Sequence, residues 1–115
     1  MAGGELDSGA VLGDVKRLCD ARVASLVDVE RVLTDGYACV LRSEDERRRL
    51  RGRLQERAAT DTGSDSRGEV VEIRAIAQGI ALADSEIEEL RTALQALAAK
   101  ASSLRARQAR PLRTA

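Results

Sequence analysis

Ile73, Ile76, Ile80, Ala83, Ile87, Leu90, Leu94, Leu97, Ala101 and Leu104 follow one another at alternating spacings of three and four. This is the a/d signature of a coiled coil, with Ile73, Ile80, Ile87, Leu94 and Ala101 at a and the others at d. A long helix with one narrow apolar seam is not stable alone in water and has to lie against other helices. A second seam precedes it. Leu12, Cys19, Leu26, Leu33, Val40, Arg47 and Leu54 recur at every seventh position, with Val15, Val29 and Leu50 in the matching d row. Arg22, Gly36 and Ser43 interrupt that row.

Between the seams, Thr60 to Gly68 contains no apolar residue and is rich in Asp, Ser, Thr and Gly, which makes it a loop. The expected elements are therefore a loose tail over 1–7, a first helix over 8–59, a polar loop over 60–68, a second helix over 69–109 and a basic tail over 110–115. Ser8 or Asp14 caps the first helix. Pro111 stops the second. Gly36 is expected to be tolerated inside the first helix, with a bend there, because the heptad phase runs through Leu33 and Val40 and an interior Gly costs only ~1 kcal/mol relative to Ala. Two long helices joined by a short polar loop fold back on each other. The fold class is all-α: a long antiparallel helical hairpin of the coiled-coil kind, which a partner would extend to a four-helix bundle.

Charge favours the antiparallel arrangement. Residues 1–41 carry seven acids and four bases, and 42–58 seven bases and four acids. Residues 59–90 carry eight acids and two bases, and 91–115 six bases and no acid. An antiparallel hairpin sets unlike blocks side by side, whereas a parallel pair of either helix stacks like on like. The total cancels, with 19 bases against 19 acids.

The two helices differ in the width of their apolar faces. The second has a narrow seam. The first adds a g row of Val11, Leu18, Val32 and Cys39 beside its a/d positions, with Leu41 on another flank. A two-helix layer leaves part of that stripe wet. These five residues are accordingly expected to dock on another chain, a different protein being slightly favoured over a second copy because Ser25 breaks the g row. The expected seam within the chain is Leu12, Leu26, Leu33, Val40 and Leu54 against Ile73, Ile76, Ile80, Ile87, Leu90, Leu94, Leu97 and Leu104.

Composition narrows the chemistry. The chain has no His, so Ser-His-Asp and Cys-His sites are excluded and the commonest metal ligand is missing. No phosphate-cradling Gly-rich motif occurs. Asp61, Asp65 and Glu72 echo a calcium loop, but Gly63 stands at a ligand position and Ser66 where the turn needs Gly. Cys19 and Cys39 fall on apolar rows and read as small hydrophobes. No catalytic residue, cofactor, metal or small-molecule substrate is expected, and no motif carries a family resemblance.

Tyr37 is the single aromatic residue, so the arginines have no stacking partners for bases. The functional reading is a non-enzymatic coiled-coil interaction or scaffold subunit of a multiprotein assembly. The alternative is an electrostatic adaptor for nucleic acid or an anionic membrane surface through Arg105, Arg107, Arg110 and Arg113. No secretory leader or membrane-length apolar run is seen, which makes the cytoplasm the default expectation, with the nucleus as alternative.

Overall fold

A computed structural model describes residues 7–59 and 67–109 as three α-helices: α1 (Ser8–Asp20), α2 (Leu26–Ala59) and α3 (Arg67–Ala109). No strand occurs among them. The described chain is all-α, as expected. It divides into two compact units. One comprises residues 7–40 and 89–109, and the other Leu41–Glu88.

The first unit holds α1, the start of α2 and the end of α3. Asp7 caps α1, its side chain accepting a hydrogen bond from the Gly9 amide at 3.0 Å. The core consists of Val11 and Val15 of α1, Val29, Val32, Leu33, Cys39 and Val40 of α2, and Leu90, Leu94, Leu97 and Ala101 of α3. The last four are the end of the expected a/d seam, and all are nearly or fully buried. Here α2 and α3 run antiparallel: Glu30 meets Arg105, while Gly36 lies on Leu94.

The second unit is a two-helix hairpin. Ser43, Arg47 and Arg57 of α2 meet Glu86, Asp84 and Glu72 of α3 in turn, so the two helices of the hairpin are again antiparallel. Its buried apolar residues are Ile76, Ala83 and Ile87. Leu50, Leu54 and Ile80 are half-buried, and Ile73 lies just on the exposed side.

The expected single helix over 8–59 is broken, and not at Gly36. Helix α1 ends at Asp20, residues 21–25 are non-helical, and α2 restarts at Leu26 with the Val29 amide donating to the Ser25 carbonyl at 3.0 Å. Neither Gly nor Pro occurs between Ala21 and Ser25, so local chemistry does not force the break. Covering the wide stripe on α2 does: a straight helix would leave the g row in water. One sequence signal marks the restart. Ser25-Leu-Val-Asp28 is a Ser-x-x-Asp start ahead of an apolar run.

Other boundaries move slightly. The second helix is described from Arg67, inside the expected loop, to Ala109. The tails over 1–6 and 110–115 and the loop over 60–66 lie outside the described residues.

Gly36 is inside α2 because Leu94 needs the space. A β-carbon there would fall within van der Waals reach of the Leu94 methyls and 3.2 Å from its Cγ. Leu94 is 1% exposed and has nowhere to go. Gly36→Ala gains helix propensity but overpacks this contact, so a net loss of about 1 kcal/mol is expected in urea unfolding. Gly52 has no atom near the same position, and Gly52→Ala is expected to gain up to ~1 kcal/mol in the same assay.

Candidate interaction surface

The residues expected to face a partner are mostly spoken for by the chain itself. Val11, Val32 and Cys39 are buried in the three-helix unit. Leu18 is half-buried on α1, whose C-terminal turn lies against α3. Leu41 alone is exposed, on the hairpin unit and away from the g row. The wide stripe on the first helix is real, but α1 is the element that covers it. Of the expected seam, Leu12, Leu26 and Leu104 are half-buried, and Leu33 and Val40 are buried.

Lys100 holds α1 in place. Its ammonium donates to the carbonyl oxygens of Leu18 and Ala21, both at 2.5 Å, with the Cys19 carbonyl at 3.5 Å. The last carbonyls of a helix have no partner within it, and a cation there also meets the negative end of the helix dipole. Lys100 therefore does the work of a C-cap, which explains how α1 stops without Gly. Cys19 lies beside it, its thiol 3.9 Å from the Ala93 carbonyl. Burial pushes the thiol above its ordinary pKa, Lys100 pulls it down, and Asp20 adds to the upward shift.

In the hairpin unit, the corresponding g row is polar. Arg57 reaches Glu72 at 2.7 Å with Arg53 at 3.7 Å, and the Ser43 hydroxyl donates to Glu86 at 3.0 Å. Side chains of this kind close the edge of a two-helix seam without a third helix. On its other edge, Arg47 and Arg51 meet Asp84 at 2.8 and 3.9 Å. A shallow hollow beside Gly52, lined by Glu44, Arg47, Arg48, Arg51 and Gln55, is largely accounted for by those pairings.

What remains uncovered is the outward face of α3 in this unit. Val71 is 66% and Leu82 70% exposed, with Val70 half-exposed beside them. Ala75, Ala77, Gln78, Ala81 and Ser85 fill the same exposed surface, and Arg74 is its only charge between Val70 and Ser85. From Val70 to Ala83 the helix is thus largely apolar on its outer face as well as on its seam, broken by Glu72 at one edge and by Arg74 and Gln78 outside, a wider apolar surface than one partner helix can cover. The a/d pattern does not reveal this face, because it includes only the residues that fit the seam. A wheel of the full segment would have shown it.

The arginines expected to bind anions fare differently. Arg105 donates through Nε and Nη2 to Glu30 at 3.1 and 2.9 Å, so its charge serves the three-helix unit. Arg107 is exposed. Arg110 and Arg113 lie outside the described residues. Among the described residues no helix is long and apolar enough to cross a membrane, and no three His, Cys, Asp or Glu side chains are placed to hold a metal ion.

Comparison with protein-family models, curated proteins and solved structures finds no match for this chain.

Lys100→Met is expected to loosen α1 at a cost of roughly 1–3 kcal/mol, the scale of a charge-assisted hydrogen bond. Hydrogen exchange should show lost protection over 8–20 with protection around Leu90 and Leu97 retained. Alkylation of Cys19 should accelerate. Unchanged exchange over 8–20 would mean that Val11 and Val15 anchor the helix unaided.

Proposed function

We propose that this chain is a non-enzymatic helical interaction module, and that it works by docking the outer face of α3, residues 70–85, against another helix. One observation carries the reading: Val70, Val71 and Leu82 stand in water on a helix segment whose two acids, Glu72 and Asp84, are turned to α2 arginines, which leaves Arg74 as the charge on the outer face. Scattered exposed apolar residues are ordinary, but a contiguous group on one helix face marks an interaction surface. Covering Val71 and Leu82 together is worth roughly 3–5 kcal/mol before the costs of association.

The reading keeps the expected class of function and moves its surface. The g row of the first helix is internal to the protein, so the scaffold role passes to α3. Both cysteines are free thiols, which suits a reducing compartment such as the cytoplasm.

Leu82→Glu and Val71→Glu test the reading. Both positions are exposed, so helicity and thermal midpoint are expected to stay within a few degrees of the parent, since surface changes are usually within about 0.5 kcal/mol. In crosslinking mass spectrometry on cells that express the chain, contacts that map to residues 70–85 of the parent should disappear in both variants. Crosslinks retained at full strength by the folded variants would refute this surface.

A further inference from the structure

We propose that the occupant of the α3 outer face is a second copy of this chain, packed antiparallel about a two-fold axis at the level of Ala81. The inference rests on the reading of that face as a docking surface, and it names the partner.

Charge decides the choice. Arg74 and Glu88 lie on one row of α3, each two turns from Ala81, or about 10 Å along the helix axis in opposite directions. Arg74 makes no ion pair with another described residue, although eight other arginines of α2 and α3 do: Arg31, Arg47, Arg48, Arg49, Arg51, Arg53, Arg57 and Arg105. An antiparallel second copy centred on Ala81 brings Arg74 opposite Glu88 of its mate, and the symmetry repeats the pair. A parallel copy sets Arg74 against Arg74.

Shape agrees with the same arrangement. Ala77, Ala81 and Ser85 are small and exposed around the axis, so two helices can approach closely there. Leu82, one residue past the axis, then lies across Gln78 and Ala81 of the second copy. A two-fold contact of this kind is self-complementary and closes, so it yields a dimer and not a fibre. The zero net charge of the chain sets no long-range repulsion against it. The patch is small and largely alanine, which places the dimer among weak, reversible associations.

Sedimentation equilibrium on the full chain, from about 10 µM to about 1 mM, covers the range in which such an interface operates. A monomer–dimer equilibrium is expected. Leu82→Glu should abolish it while circular dichroism stays unchanged. Arg74→Glu and Glu88→Arg should each weaken the dimer roughly ten-fold by turning both symmetric pairs into like-charge contacts, and the double exchange should restore it to within about three-fold. A chain that stays monomeric overturns the proposal, as does a dimer indifferent to Leu82→Glu or a double exchange that fails to restore. If the chain is monomeric while crosslinks to another protein still map to residues 70–85, a foreign helix is the occupant and the docking surface stands. If those crosslinks are absent too, the surface falls with it.

Discussion

The width of the apolar stripe on α2 is the constraint from which the rest of this structure follows. Val29, Leu33 and Val40 satisfy a two-helix seam with Leu90, Leu94 and Leu97. Val32 and Cys39 sit one row to the side, beyond what α3 alone can cover. Leaving both wet would forfeit roughly 3 kcal/mol of burial. The chain instead breaks its first helix and lays α1 over them. The cost is five residues out of helical hydrogen bonding and a helix end without a cap, and Lys100 offsets the second of these by taking the free carbonyls.

The same heptad row changes character along the chain, and the architecture changes with it. Over the three-helix unit it reads Val32 and Cys39 on α2 and Ala93 and Lys100 on α3. Over the hairpin unit it reads Glu46 and Arg53 on α2 and Glu72, Gly79 and Glu86 on α3. Apolar side chains demand a third helix; charged ones reach across the seam and pair. An individual exposed ion pair of this sort contributes at most about 1 kcal/mol. Its larger effect is to exclude a third helix from that edge.

Much of this was legible in the residues. The a/d run from Ile73 to Leu104 specified α3, although Ile73 itself lies just on the exposed side, and the opposed charge blocks specified the antiparallel hairpin. The g row of Val11, Leu18, Val32 and Cys39 was identified as needing cover. The source of that cover was not legible, because heptad reasoning treats phase continuity as helix continuity. The register runs unbroken through Cys19, Leu26 and Leu33, yet residues 21–25 leave the helix. Phase says which face a residue occupies if the helix continues, and says nothing on whether it does. Gly36 was expected inside a helix and is inside α2, but the reason for a glycine there was not legible. Its role is to admit Leu94, a contact between positions far apart in sequence. The Lys100 cap is likewise set by tertiary placement, and no local motif announces it.

The apolar outer face of α3 bears on the stability of the hairpin unit as well as on its contacts. The three-helix unit has Val15, Val29, Cys39, Leu90, Leu94 and Leu97 almost wholly out of water. The hairpin unit reaches that degree of burial at Ile87 alone, and Leu50 and Leu54 are only half-covered. Its α2 segment carries seven arginines, whose stems shield the seam while their charges stay wet. A hairpin so thinly cored lies at the low end of the local stability range, where opening is frequent. Covering Val71 and Leu82 from outside would stabilise the folded hairpin by mass action. Docking and folding of residues 41–88 are therefore thermodynamically linked: whatever occupies that face also closes the hairpin. The proposed interaction surface thus lies on the more thinly cored of the two units.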